Sequence, residues 1–244
     1  MEQAIYLDHN ATAPVCAPAR DAALEALALT GNMSSVHRFG RLVRRTVEDA
    51  RESVAELLGT KAGNVIFTSG GTEANNQAMA RCGRERVLAS AVEHPSVLKA
   101  LGGIEIVPVG ADGVIDLTAL EEMLGKSDTP ALVCLMLANN ETGTIQPVGQ
   151  AVEIARRFGA LVHCDAVQAV GKIPFDMSAL GVDTLSLSAH KIGGPAGTGA
   201  LIIKDGVPLD SLLNGGGQEG GLRAGTENVS GIAGFGAAAK VAKD

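Results

Sequence analysis

The sequence predicts an α/β protein built on a mainly parallel, seven-stranded sheet with helices on both faces. Short apolar runs rich in β-branched residues alternate with amphipathic segments of about 10–15 residues, the pattern of strands joined by helical crossovers. Glycine closes several of the amphipathic segments, at Gly31, Gly59, Gly125 and Gly159. With 46% hydrophobic and 19% charged residues over 244 positions, the chain can bury a sizeable core, as one large domain or as one domain plus a fragment.

Residues 1–15 stand outside the alternation, and Tyr6-Leu-Asp-His-Asn-Ala-Thr-Ala-Pro reads as an extended N-terminal arm ahead of a domain over 16–244. Helices are expected over Ala17–Leu29 and Arg41–Leu58, the second with Arg41, Arg44 and Arg45 on an exposed face set against Glu48 and Asp49. A strand over Asn64–Thr68 leads through Gly70 and Gly71 into a helix over Thr72–Arg81. Strands follow at Arg86–Ser90 and Glu105–Val109, then a helix at Leu117–Leu124, a strand at Ala131–Ala138 and a helix at Gly149–Phe158. Leu161–Cys164, Thr184–Ser188 and Gly199–Ile203 complete the strands. The segment from Asn214 to Asn228 is too glycine-rich for a core element, which leaves a functional loop or disorder. From Val229 the pattern is that of a helix beginning. His9 and His37 read as loop residues without a role.

Charge and cysteine usage narrow the class. A net charge of −7, with no Lys/Arg cluster interleaved with aromatics, argues against nucleic acid as a main partner. No apolar run nears the roughly 18 residues of a membrane span, and Met-Glu-Gln-Ala-Ile lacks the order of a signal peptide, so no membrane partner and a cytoplasmic location are expected. Cys16, Cys82, Cys134 and Cys164 show no paired spacing, so neither a disulfide framework nor a zinc site is predicted. In His163-Cys164-Asp165 successive strand residues face opposite ways, and the three cannot converge on one metal ion.

Three places carry candidate chemistry. In Leu185-Ser-Leu-Ser-Ala-His-Lys-Ile-Gly-Gly-Pro an apolar strand delivers Lys191 into a glycine-lined turn. A partly desolvated lysine loses its proton readily and attacks aldehydes such as that of pyridoxal phosphate. Asp165 ends the strand-like run Ala160-Leu-Val-His-Cys-Asp, where a carboxylate would pair with a pyridine nitrogen; Gln168 follows within reach of a ring hydroxyl. Val65-Ile-Phe-Thr-Ser-Gly-Gly-Thr reads as strand, turn and helix start, where free amides and the Thr72 hydroxyl suit a phosphate. Each has an ordinary alternative: a solvated loop lysine, a helix-capping aspartate, a capping box.

Together these segments resemble a known family. Tyr6-Leu-Asp-His-Asn-Ala-Thr, Gly31-Asn-Met-Ser-Ser-Val-His, Thr68-Ser-Gly-Gly-Thr-Glu-Ala-Asn-Asn, Glu93-His-Pro-Ser-Val, Asn139-Asn-Glu-Thr-Gly, His163-Cys-Asp-Ala-Val-Gln and Ser188-Ala-His-Lys-Ile-Gly-Gly-Pro follow, in order, the pattern of class V aminotransferase-fold cysteine desulfurases. The resemblance implies the large domain of pyridoxal-phosphate fold type I and conversion of L-cysteine to L-alanine, with sulfur passed to an enzyme persulfide for iron–sulfur cluster assembly. It implies that Lys191 carries pyridoxal 5′-phosphate as a Schiff base and moves the substrate proton, that Asp165 pairs with the ring nitrogen, and that Gln168 and Asn140 serve the ring hydroxyl side. His94 would stack on the ring. Gly71, Thr72, Ser188 and His190 would hold the phosphate, joined by Thr226 from the partner subunit of a homodimer, and a sulfur acceptor or iron–sulfur scaffold protein would be a further partner.

The family carries its persulfide cysteine and its carboxylate-binding arginine well past the Arg223-Ala-Gly-Thr loop, whereas this sequence ends at Asp244. The resemblance therefore predicts a large domain without its small domain, read as part of a longer enzyme, with a short homologue lacking desulfurase activity, or another lyase or transaminase of the same fold, as alternatives. Cys16 is the one cysteine whose position suggests exposure.

Overall fold

A computed structural model describes residues 5–243. Its strands are β1 (Val65–Thr68), β2 (Arg86–Ser90), β3 (Glu105–Val107), β4 (Ala131–Cys134), β5 (Leu161–Asp165), β6 (Thr184–Ser188) and β7 (Gly199–Ile203), in the order β1-β7-β6-β5-β4-β2-β3 across one seven-stranded sheet. Neighbours from β3 to β6 pair in parallel, while β7 runs antiparallel to both β6 and β1. The reversal at β7 follows from chain length. Residues 189–198 are too few for the crossover of about a dozen or more that a parallel pair needs.

Helices α1 (Ala17–Leu27), α2 (Arg38–Leu58), α3 (Gly71–Arg81), α4 (Pro95–Leu98), α5 (Leu117–Leu124), α6 (Val148–Arg157), α7 (Met177–Leu180) and α8 (Val229–Lys243) cover the sheet. Strands β1, β4, β6 and β7 are buried along their whole length, because both sheet faces are covered. Val43, Val47, Ala50, Val54 and Leu58 form the buried stripe of α2, which packs against α8. Gly236 permits that approach, since a Cβ there would lie 2.5 Å from the Ala50 Cα. No helix among the described residues is long and apolar enough to cross a membrane.

Several boundaries differ from the sequence expectation. β3 stops at Val107 because Pro108 follows, and Val109 instead bridges Ile115. β4 ends at Cys134, although the Leu135 and Leu137 amides still donate to the His163 and Asp165 carbonyls, at 3.0 and 2.9 Å. α2 begins at Arg38 rather than Arg41, because the His37 ring accepts the Gly40 amide at 3.3 Å and caps the helix. The expected basic face is also divided. Arg45 pairs with Asp49 at 3.7 Å, but Arg41 and Arg44 turn back to the Val36 and Met33 carbonyls, and Glu48 pairs with Arg51.

The glycine-rich segment is anchored by two ion pairs. Arg51 grips Glu219 through two hydrogen bonds of 2.6 and 2.8 Å, and the Phe67 amide adds a third to the same carboxylate at 2.9 Å. Glu219 takes φ 46°, a left-handed conformation uncommon outside glycine, and its buried side chain holds it there. Arg223 pairs with Glu73 of α3 at 2.9 Å. Of the N-terminal arm, residues 1–4 lie outside the described residues. The remainder runs along the ends of the strands, with the Ala13 amide on the His190 carbonyl at 2.8 Å and the Cys16 amide on the Gly193 carbonyl at 2.9 Å.

Candidate functional site

The carboxyl ends of the parallel strands open into a cavity of about 550 Å³, where α/β sheets place their ligands. Strand β1 leads into α3, so Gly71 and Thr72 reach one end of it; β6 brings Ser188, and the turn after it His190 and Lys191. At the start of α3 the Gly71, Thr72 and Glu73 amides have no acceptor within the helix and no side chain caps them. A Cβ on Gly71 would come within 2.9 Å of Val167 Cγ2, and one on Gly199 within 2.6 Å of the Gly70 Cα. Both glycines keep this cradle open and close to the sheet.

Asp165 lies at the other end, at the last position of β5. Asn75 of α3 donates to its Oδ2 at 2.8 Å and the Val167 amide to its Oδ1 at 3.0 Å. Burial pushes the Asp165 carboxyl above its usual range, against Asn75, the Val167 amide and the nearby His94 and Lys191, which favour its charged form. Alternation along β5 leaves His163 on the same side as Asp165, where Asn75 Oδ1 accepts from its Nε2 at 2.9 Å and the Thr184 hydroxyl meets its Nδ1 at 2.9 Å. Cys164 between them faces the core. Burial keeps His163 neutral, with its pKa pushed down to about 3.

His94 lines the cavity at the start of α4, its Nδ1 accepting the Ser96 amide at 3.1 Å. Beneath it, Glu93 is 4% exposed. One carboxyl oxygen accepts from the Met136 amide at 2.7 Å and meets the Ser90 hydroxyl at 2.9 Å, while the other has no partner. Burial, helped by the nearby Asp165 charge, pushes its pKa up to about 8, so Glu93 is an uncharged acid at neutral pH.

The arm closes the remaining side. Lys191 donates to the Asn10 carbonyl and, at 2.7 Å, to the Ala11 carbonyl. Gln168 donates to the same Asn10 carbonyl at 2.8 Å, and the Asn10 side chain donates to the Asn140 carbonyl at 3.1 Å. Burial makes the charged form of Lys191 less favourable, while Asp8 and Asp165 partly restore it. His190 is likewise shifted down by burial and by Lys191, and its Nδ1 lies 3.1 Å from the Thr12 hydroxyl.

Of the residues singled out in the sequence, Gly71, Thr72, His94, Asn140, Asp165, Gln168, Ser188, His190 and Lys191 all line this one cavity. Thr226 does not; it is exposed on the glycine-rich segment. Cys82, Cys134 and Cys164 are buried with their thiols shifted up by burial, and Cys16, half-buried at the N-terminus of α1, does not line the cavity. Asn75, Glu93, Ser96 and Asn10 received no role from the sequence. All four sit within the quoted motifs, but nothing in their spacing tells a supporting side chain from a contacting one.

A sheet of this order with a lysine, a buried carboxylate and a glycine cradle around one cavity defines a family, and the chain belongs to it: aminotransferase class-V, whose family model matches residues 5–244. It is similar to an IscS-like cysteine desulfurase of Mycobacterium tuberculosis, 42% identical over 98% of this chain and 65% of that protein. Among solved structures it is similar to a NifS-like protein from Rickettsia africae, 37% identical with a TM-score of 0.94 over 99% of this chain and 69% of the other. A structure described as SspA in complex with cysteine is 31% identical, with a TM-score of 0.90 over 97% and 72%. The chain thus spans 65% of the length of that relative and 62% to 65% of several other curated relatives it matches.

Proposed function

We propose that this cavity binds pyridoxal 5′-phosphate and serves cysteine desulfuration, in which L-cysteine becomes L-alanine and its sulfur passes to an enzyme thiol as a persulfide. The observation that carries the reading is the meeting of the Lys191 amine and the buried Asp165 carboxylate in one cavity with an uncapped, glycine-lined helix start. The residues fit the cofactor. The Gly71 and Thr72 amides with the Thr72, Ser188 and His190 side chains form a donor set for the phosphate, and Asp165, costly to bury alone, suits a protonated ring nitrogen. Bound there, pyridoxal phosphate supplies an electron sink for negative charge developing at the substrate Cα.

The chain's own residues do the rest. Lys191, with its ammonium form disfavoured by burial, is the amine that meets the cofactor aldehyde and then the base that takes the Cα proton. His94 would cover the cofactor ring, and Gln168 and Asn140 would serve its hydroxyl; all three line the cavity. Atoms balance when the enzyme thiol attacks the substrate sulfur: its proton is released, the carbon–sulfur bond breaks, and the carbon gains a proton to leave as alanine. None of the cysteines present is assigned that thiol, since three are buried and Cys16 stands off the cavity.

The names of the similar proteins support the reaction and the cysteine substrate. A homodimer that brings Thr226 to the partner's phosphate site, a sulfur acceptor or iron–sulfur scaffold as partner, and a cytoplasmic location complete the reading. The test is the absorption spectrum of the purified chain with pyridoxal phosphate, before and after cysteine, beside Lys191→Ala, with assays for alanine and sulfide. Visible absorbance that depends on Lys191 is expected. Its absence would sink the cofactor reading, and sulfide release by this chain alone would overturn the exclusion of its four cysteines.

A further inference from the structure

Asp165 has a role at the ring nitrogen, but the side chain that holds it has none so far. Asn75, on α3, is fully buried at the wall of the cavity. Its NH₂ group donates to Asp165 Oδ2 at 2.8 Å and to the Ser96 hydroxyl at 2.9 Å, so both amide hydrogens are taken. Its Oδ1 accepts from His163 Nε2 at 2.9 Å. Burial keeps His163 neutral, and a neutral imidazole carries one donor and one acceptor. With the proton on Nε2, Nδ1 is the acceptor for the hydroxyl of Thr184, its register partner on β6, 2.9 Å away.

The amide therefore has one direction. Turned over, it would set its oxygen against the Asp165 carboxylate and its NH₂ against the His163 N–H, two repulsions in place of two bonds. Only a proton moved to His163 Nδ1, with the Thr184 hydroxyl reversed, would relieve the second of them. The Val167 amide takes the other Asp165 oxygen at 3.0 Å. Among the described side chains, Asn75 is the one hydrogen-bonded to the Asp165 carboxylate. His94 on α4 and Lys191 after β6 act on it only as nearby charges, and Glu93 is uncharged. Burial opposes the charged form of Asp165, and the Asn75 bond is the largest of the influences that favour it.

We propose that Asn75 is a positioning residue that acts through Asp165: oriented by His163 and Thr184, it holds the Asp165 side chain as a carboxylate ready to accept the ring N–H of the cofactor. The inference rests on the reading of Asp165 as the partner of the pyridine nitrogen of pyridoxal phosphate. Neither His163 nor Thr184 lines the cavity, so their part is played through the direction of the Asn75 amide. A merely structural asparagine would tie α3 to β5, and it would support a bound ring whatever atom stood at the nitrogen position.

Equilibrium dialysis of the full chain at neutral pH separates the two roles, with pyridoxal phosphate compared against an analogue in which C–H replaces the ring nitrogen. The wild-type chain should prefer pyridoxal phosphate by at least about tenfold. Asn75→Ala should cut that preference about tenfold, the effect of losing a hydrogen bond to a charged group, and leave affinity for the analogue nearly unchanged. Equal losses for both compounds, with the preference intact, would overturn the proposal and leave Asn75 a structural residue. A second measurement needs no variant at Asn75. In the cofactor-free chain labelled with nitrogen-15 histidine, the His163 ring, identified by the loss of its signals in His163→Gln, should show a protonated Nε2 and a bare Nδ1. A protonated Nδ1 with a bare Nε2 means that the amide is turned over, and overturns the proposal even if pyridoxal phosphate binds. A wild-type chain that binds neither compound instead overturns the cofactor reading, and one that binds both alike overturns the pairing of Asp165 with the ring nitrogen; either result removes what Asn75 would position.

Discussion

Replacing Glu93 with glutamine should make the cofactor-free chain more stable at neutral pH and change the sign of its pH dependence. Glu93 is held uncharged up to about pH 8, whereas in the unfolded chain it ionises at its ordinary 4.5. The folded state therefore retains a proton that the unfolded state gives up. That proton's contribution is greatest at low pH and is lost as pH rises from 4.5 to 8, at about 1.4 kcal/mol per unit, or about 3 kcal/mol by pH 7. Glutamine keeps the acceptor for the Met136 amide and the Ser90 hydroxyl, and its NH₂ stands where the carboxyl oxygen already lacked a partner. The cost of an unpartnered group is thus the same before and after. His163 slopes the other way: held neutral down to about pH 3 from an ordinary 6.5, it loses stability as pH falls through that range. In the wild type the two slopes offset each other between pH 4.5 and 6.5, and stability declines from 6.5 to 8. In Glu93→Gln the decline above pH 6.5 should flatten and the fall below it should steepen. Urea unfolding followed by circular dichroism, at half-unit steps from pH 4.5 to 8.5, measures both slopes. Parallel curves for wild type and variant would refute the assignment of a neutral, buried acid.

Other substitutions test the site and its supports. Arg51→Met leaves the 2%-exposed Glu219 carboxylate unpaired and should cost about 3–5 kcal/mol in thermal or urea unfolding, with Arg51→Met/Glu219→Gln recovering part of it. Gly71→Ala forces a methyl against Val167 Cγ2, 2.9 Å away; affinity for pyridoxal phosphate, followed by fluorescence titration, should fall about tenfold, about 1.4 kcal/mol, and Val167→Ala should restore most of it. Asn75→Ala removes the hydrogen bonds to Asp165, His163 and Ser96 and should destabilise the chain by about 2–3 kcal/mol in urea unfolding.

The site was legible because its chemistry sits at element ends. Lys191, Asp165 and the Gly70-Gly71 turn each follow a run whose apolar pattern marks a strand, and a strand end in an α/β sheet faces the ligand side whatever its neighbours. Glu93 was not legible in the same way. As a residue type it belongs on the surface, and only the packing of β2 against β4 takes it out of water. The same holds for His163, whose neutral state depends on Asn75 and Thr184, distant in the chain.

From the sequence alone came the alternation of helices and strands, the mainly parallel sheet and Lys191, Asp165 and the Gly70-Gly71 turn as candidates, since periodicity and turn chemistry are local properties of the chain, whereas His94, Asn140, Ser188 and His190 were singled out through the family resemblance. Its reading of the boundaries failed where one side chain decided them, as the His37 cap does for α2 and Pro108 for β3. Tertiary structure alone decided that β1 pairs with β7 at the edge of the sheet, that Arg51 and Glu219, 168 residues apart, hold the glycine-rich segment, and that Lys172 and Lys191 meet at Asn10. Each of these joins segments far apart in the chain, and burial, which makes such contacts strong, is a property of the folded whole.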